Sequence, residues 1–364
     1  MIKVLLVDDS PVAITVLKRM LSKSPEIEVV GTAGNGMEAL KLIPKVNPDV
    51  ICTDLHMPVM DGLEFTKEVM ARHPLPILLV SVSASEGSLS AFTVIEAGAL
   101  DIFQKPRASF ELDYEKIAPD LIMKIKILSG VRVFRRRRSD SASGVGISDI
   151  KEFKSKIQIL PAGRQVAESK IRIIVIGAST GGPQALQTIL TKLPPDFPLP
   201  IVCIQHINEG FLQGFVDWLS SLCMMKVEIA KAGVIPDPGT VYFPQEGTHL
   251  KIDSKGMFVL STEPPFDGHR PSVTVTMRSA AKYYGNSVFG VLLTGMGKDG
   301  AEGLQDVKKA GGITIAQDEE SSVVFGMPKQ AIALGAAGYI IPLDEMAQTI
   351  LDFVLKILEQ GGER

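Results

Sequence analysis

The sequence predicts two α/β domains, each on a parallel, doubly wound sheet, joined by a linker, with an antiparallel hairpin insert in the second. Three observations carry this. Short runs rich in Val, Ile and Leu alternate with amphipathic stretches along most of the chain. These runs are apolar at successive positions, as strands covered on both faces require. The chain has 364 residues, 45% hydrophobic and 22% charged, which suits about two domains of roughly 150 residues and excludes a disordered or collagen-like polymer.

The first domain is expected over 1–125, a five-fold βα repeat of the flavodoxin-like kind. Its apolar runs lie at 4–7, 29–33, 50–53, 77–81 and 101–103. The first helix is the clearest: Ser10 suits the cap and Pro11 the first turn, and Ala13, Val16, Leu17, Met20 and Leu21 fall on one face. Helical pattern from about Tyr114 to Leu128 then gives way to Arg135, Arg136, Arg137, Arg138 and a Ser- and Gly-rich stretch. That composition predicts a linker over 126–168. The arginine run has no interleaved aromatics and no helix-turn-helix after it, so a solvated linker explains it better than a nucleic-acid patch. The second domain is expected over 169–360, with strands at 173–176, 201–204, 227–230, 288–293, 313–316 and 339–341. Helices are expected at 183–192, 211–222, 273–283, 300–310 and 343–358, and Tyr242, Phe243 and Leu250 with the turns PQEG and DSKG suggest a hairpin over 239–260.

Composition narrows the function classes. The formal net charge of −3 gives no basic field for nucleic acid. Cys52, Cys203 and Cys223 lack metal-ligand spacing, which argues against a zinc site or a disulfide framework and fits a reducing compartment. No apolar run approaches the ~18 residues of a membrane span. The N-terminal MIKVLLVDDS turns acidic too soon for a signal peptide, so a cytoplasmic location without membrane insertion is expected.

In the first domain, Asp8 and Asp9 end the first strand, Asp54 the third, Ser81 the fourth, and Lys105 follows the fifth. The strand C-termini of an open parallel sheet share one rim, so these side chains converge. Clustered carboxylates with room for phosphate and water suit Mg²⁺. The set fits an aspartate that attacks a phosphoryl group while Mg²⁺ and Lys105 absorb charge and Ser81 senses the product. This arrangement resembles the receiver domain of bacterial response regulators. The resemblance implies that Asp54 is the phospho-acceptor, that Asp8, Asp9 and Asp54 hold the metal, and that Ser81 and Lys105, the latter before Pro106, form the switch.

In the second domain the first strand runs into Gly177, Ala178, Ser179, Thr180, Gly181, Gly182 and Pro183, which sets Ser179 at a helix N-terminus. Such a turn either cradles phosphate or meets the oxyanion of an acyl-transfer intermediate, and the stretch 177–183 matches neither GxGxxG nor a P-loop. His206 follows the second strand and Asp299 the strand at 288–293. A serine, a histidine and a carboxylate on one rim fit nucleophile, base and orienting group, although Asp299 equally suits the cap of the helix after it. The segments GASTGGP, IQH, GTVYFPQEGTHL, HRPSV, LLTGMGKDGAEGL and QDEESSVVFGMPKQAI resemble the catalytic domain of the CheB family, the chemotaxis protein-glutamate methylesterases.

That resemblance implies a phosphorylation-activated hydrolase of glutamate γ-methyl esters on methyl-accepting chemoreceptors, with glutamine deamidation at the same sites. It implies Ser179 as nucleophile, His206 as base and Asp299 as orienting carboxylate, with Thr180 and Met296 beside the oxyanion site and no cofactor for the ester chemistry. The implied partners are chemoreceptors as substrate and a histidine kinase as phosphodonor, and the unphosphorylated receiver is expected to cover the esterase rim. Two departures stand out: INEGF follows His206 where relatives usually have Met-Pro-Pro-Gly-Phe, and Thr274 replaces an aspartate after RPSV. The alternative readings are a phospho-switched scaffold without activity, a nucleotide-binding module, and a DNA-binding regulator, the last disfavoured by the acidic balance.

Overall fold

A computed structural model of the chain describes residues 1–82, 88–105, 111–131, 133, 158–159 and 171–361. Pro106, the four arginines at 135–138 and the boundary expected near Ser169 lie outside the described residues. The described chain forms two compact units, one around each parallel sheet.

The N-terminal unit runs β1 (Ile2–Val7), α1 (Pro11–Leu21), β2 (Ile27–Ala33), α2 (Gly36–Val46), β3 (Val50–Thr53), α3 (Gly62–Arg72), β4 (Ile77–Ser81), α4 (Ser88–Ala97), β5 (Asp101–Gln104) and α5 (Glu111–Leu128). Its sheet order is β2-β1-β3-β4-β5, with every pairing parallel. β3 and β4 are buried at every position, which is why their sequences are unbroken apolar runs. Ser10 caps α1 by accepting from the Ala13 N–H at 3.3 Å, and Pro11 occupies the first turn, where no donor is lost. α5 continues to Leu128, three residues past the expected end of the domain at 125.

The C-terminal unit comprises β6 (Gln158–Ile159), β7 (Ile173–Ala178), α6 (Gly182–Leu190), β8 (Ile201–Gln205), α7 (Leu212–Leu222), β9 (Lys226–Ile229), β10 (Thr240–Phe243), β11 (His249–Ile252), β12 (Phe258–Ser261), α8 (Val273–Tyr284), β13 (Val288–Leu292), α9 (Ala301–Lys309), β14 (Ile313–Gln317), α10 (Met327–Ala333), β15 (Tyr339–Ile341) and α11 (Leu343–Gly361). The main sheet has the order β6-β15-β14-β13-β7-β8-β10-β9. β6 pairs antiparallel with β15 at one edge, and the other pairings are parallel.

The antiparallel hairpin is shorter than the sequence suggests. It consists of β11 and β12, whereas β10, expected within it, lies parallel between β8 and β9. The reason is burial: all four residues of β10 are covered, a requirement of an interior parallel strand that a two-stranded insert would not impose. Among the described residues no helix is long and apolar enough to cross a membrane.

The chain leaves β7 toward β8 on one side and later returns to lay β13 on the other, so the strand order reverses beside β7. A crevice opens at such a reversal, at the strand C-termini. Beneath it, Leu292, Val273, Met277, Leu304 and Val307 form a buried apolar cluster. Leu304→Ala is expected to cost this unit about 2–5 kcal/mol, read as a lower urea midpoint with an unchanged slope.

Candidate active site

The five residues expected on the rim of the first sheet are gathered there. Lys105 Nζ lies 2.7 Å from Asp8 Oδ2 and 2.8 Å from Asp54 Oδ2, bridging the ends of β1 and β3. The second Asp54 oxygen accepts from the Leu55 N–H at 2.8 Å, and Asp8 Oδ1 accepts from the Ser10 N–H at 2.9 Å. Asp9 is exposed, and carboxylate oxygens of Asp8, Asp9 and Asp54 lie within 4.8 Å of one another. Ser81 is buried at the end of β4.

Burial pushes the Asp8 carboxyl up, and the Lys105 ammonium offsets this only in part. Burial alone would lower Lys105, yet its bonds to Asp54 and Asp8 hold it above the ordinary lysine value. The rim therefore holds one firmly charged cation among three crowded acids, and an oxygen-ligated divalent cation fits the Asp8, Asp9 and Asp54 donor set. Gly62, at the start of α3, is part of this geometry. A Cβ there would stand 2.2 Å from the Asp54 carbonyl oxygen and 3.0 Å from Leu55 Cα.

In the C-terminal unit, Ala178 pairs with Gln205 across β7 and β8, so Ser179 and His206 are the next residues on neighbouring strands. The His206 N–H donates to the Ala178 carbonyl at 3.0 Å. Ser179 is held through its backbone: its N–H donates to Thr294 O at 3.0 Å, and its carbonyl accepts from Gly182 N at 2.7 Å and from Gln205 Nε2 at 2.9 Å. Gly181 turns the chain with φ of 78°, and a Cβ at Gly182 would lie 2.0 Å from Gln205 Oε1, so the close turn requires glycine at both positions.

Asp299 is almost wholly buried and accepts from five donors. His206 Nε2 at 2.9 Å and the Val273 N–H at 2.8 Å meet Oδ2. Ser272 Oγ at 2.8 Å and the N–H groups of Thr274 at 3.0 Å and Gly300 at 2.9 Å meet Oδ1. Asp299 thus sits at the N-terminus of α8, where helix-end N–H groups favour an anion, and is not the side-chain cap of α9. Burial alone would raise its carboxyl, but the bonds from His206, Thr274 and Ser272 outweigh it and hold the group well below the carboxylate range.

An ionised acceptor at Nε2 fixes the His206 tautomer, with Nε2 donating and Nδ1 left as the lone-pair nitrogen. Nδ1 is buried and has no hydrogen-bond partner among the described residues. No hydrogen bond joins the Ser179 hydroxyl to His206 among them. Thr180 adjoins Ser179, and its carbonyl accepts from Thr294 Oγ1 at 2.9 Å. Met296 is half-buried on the turn after β13, next to Gly295, where an added Cβ would lie 2.7 Å from Ser179 Cβ.

Sequence reasoning did not find the residues that hold this constellation. Ser272 looks like an ordinary helix cap, yet its hydroxyl reaches Asp299 while its N–H donates to His249 Nδ1 at 3.2 Å. Thr294 bonds both the turn that carries Ser179 and Val324, and Gln317 Oε1 accepts from the Thr294 N–H at 2.8 Å. Thr274 accepts from the Gly300 N–H at 2.8 Å, supporting the loop that carries Asp299 with a neutral side chain. His269 lies with its ring stacked on His206, centroids 3.9 Å apart. Local sequence carries no signal for these contacts, apart from the Ser-Val start of α8.

Two parallel sheets, one rimmed by acids and a lysine and the other by a serine, a buried His–Asp pair and a glycine turn, give one chain a receiver-type site and a hydrolase-type site. Comparison with known proteins gives the same division: residues 4–114 match the response regulator receiver domain and residues 174–350 the CheB methylesterase. A protein-glutamate methylesterase/protein-glutamine glutaminase of Methanospirillum hungatei is 42% identical over 349 residues, covering 96% of this chain and 97% of that one. Its counterpart from Nitrosospira multiformis is 40% identical over 355 residues, covering 97% of each. Among solved structures, the catalytic domain of Thermotoga maritima CheB methylesterase is 39% identical, with a TM-score of 0.49, covering 51% of this chain and all of that one. The chain belongs to the protein-glutamate methylesterase/protein-glutamine glutaminase family.

Proposed function

We propose that this protein removes methyl groups from glutamate γ-methyl esters of methyl-accepting chemoreceptors and deamidates glutamines there, with phosphorylation of Asp54 raising the rate. The observation that carries the reading is the His206–Asp299 pair, fixed by four further donors beside Ser179 at the strand-order reversal. The names of the full-length relatives point the same way.

In this mechanism His206 Nδ1 takes the Ser179 hydroxyl proton as Ser179 Oγ attacks the γ-carbonyl carbon. Asp299 stays ionised and stabilises the imidazolium through Nε2–H. Backbone N–H groups beside Thr180 and Met296 meet the oxyanion. His206 then returns the proton to the leaving methoxide oxygen, methanol departs, and a water activated by the same nitrogen resolves the acyl-enzyme. An amide follows the same course with ammonia leaving.

In the receiver, an Asp54 carboxylate oxygen attacks the phosphorus of a histidine kinase's phosphohistidine, and the P–N bond breaks with its electron pair going to the departing kinase imidazole. Lys105 transfers one of its two bonds from Asp54 to the phosphoryl oxygens, and Ser81 supplies a hydroxyl to the product. Asp8, Asp9 and Asp54 are the residues that would hold Mg²⁺, which when bound neutralises charge on the phosphoryl oxygens. The assigned setting is the cytoplasm, where both phosphodonor and receptor helices are met.

Methanol release from methylated receptor fragments, with and without a small-molecule phosphodonor and Mg²⁺, tests both halves. Ser179→Ala is expected to reduce release at least ~10³-fold, and Asp54→Ala to keep basal release while losing stimulation. Release that survives Ser179→Ala, or stimulation that survives Asp54→Ala, contradicts the respective half.

A further inference from the structure

We infer that His269 is a positioning residue for His206, holding the plane of the base and backing the cation it becomes. This rests on the reading of His206 as the base. The two imidazoles stack with centroids 3.9 Å apart and planes 4° from parallel. His206 is anchored by its ring at Nε2 alone, because Nδ1 has no hydrogen-bond partner among the described residues. One hydrogen bond in the ring plane leaves the ring free to rock about that contact, and a flat neighbour against its face removes this freedom. Misplacement of a base by a fraction of an ångström is costly, because proton transfer from Ser179 needs the Nδ1 lone pair aimed at the hydroxyl.

The segment that carries His269 is built for this task. Phe266 and His269 exchange backbone hydrogen bonds of 3.1 and 2.9 Å, which close a turn. Asp267 in that turn pairs with Lys298 at 3.3 Å, next to Asp299 itself. Three residues beyond His269, Ser272 begins the Ser272–Val273–Thr274 set that holds the Asp299 carboxylate. A single stretch of chain therefore fixes both the carboxylate and the face of the histidine it orients. When His206 takes the serine proton, the positive charge forms against the π face of His269, an attraction available in the transition state and absent from the neutral ground state.

The test is kcat and KM for methanol release at pH 8, above the ordinary imidazole pKa of about 6.5, for the full chain, His269→Ala, His269→Phe and Ser179→Ala. His269→Ala is expected to lower kcat about tenfold with KM within about twofold, and His269→Phe, which restores a flat π face, to recover kcat to within about threefold of the unmodified chain. If His269→Ala does not fold, as judged by its thermal transition, His269→Asn is held to the same criterion. The inference is overturned by a ringless variant with kcat within about twofold of the unmodified chain, by a Phe variant as slow as the ringless one, or by a loss carried wholly in KM. Ser179→Ala separates the two levels: release that persists in it overturns the esterase reading, whereas its loss alongside an unaffected ringless variant overturns the role of His269 alone.

Discussion

Asp299→Asn is expected to lower methanol release by about 10⁴-fold. An asparagine presents an amide N–H₂ where one carboxylate oxygen stood. If that N–H₂ faces His206 Nε2, the ring must accept there and carry its proton on Nδ1, the atom that takes the Ser179 proton in the proposed mechanism. If it faces the other way, it meets the donors of Ser272, Thr274 and Gly300. Either orientation leaves buried donors facing a donor, so the C-terminal unit should also lose roughly 3–5 kcal/mol of stability.

The same substitution changes the pH dependence of folding. The native Asp299 carboxyl ionises well below its unfolded value, so its stabilisation is complete above about pH 3.9 and is lost as pH falls toward the native pKa. Urea midpoints of the native chain should drop steeply below pH 4, and the Asn variant should lose that component of the slope. Equal slopes for the two proteins would contradict the assigned ionisation.

Gly62→Ala is expected to disable the receiver while sparing basal ester hydrolysis. The added Cβ would lie 2.2 Å from a backbone oxygen, that of Asp54, and 3.0 Å from Leu55 Cα, so no side-chain rotation relieves the clash. Either α3 or the end of β3 must move. The second option displaces the Leu55 N–H and the Lys105 ammonium, the two donors bonded to the Asp54 carboxylate. We expect at least about 2 kcal/mol of destabilisation and phosphorylation from a small-molecule donor slowed at least about tenfold. The checks are thermal unfolding of the N-terminal unit and incorporation of labelled phosphoryl groups. Unchanged phosphorylation would show that this helix start does not set the position of Asp54.

Legibility in the sequence followed burial. The strands of both parallel sheets showed themselves because interior parallel strands are apolar on both faces, as β4 and β7 are. β10 satisfies the same rule, but which strands it joins depends on a crossover path that no local pattern encodes. β6 has only two residues, too few for any periodicity, and owes its state to β15. The rim positions of Ser179, His206 and Asp299 follow from strand ends alone. What fixes them does not: Ser272, Thr294 and His269 make their contacts through tertiary packing, and Gln205, beside His206, reaches across to the Ser179 carbonyl. Nor does sequence reveal which imidazole nitrogen faces Asp299, since that is set by the placement of α8.

The most direct test of the central claim is a rapid-quench reaction of the full chain with a methylated receptor fragment, followed by mass analysis of the peptide containing Ser179. A transient adduct on Ser179 with the mass of the fragment less methanol is expected, appearing with the first equivalent of methanol and absent in Ser179→Ala. Methanol released over many turnovers with the adduct on another residue, or with equal release from Ser179→Ala, would contradict it.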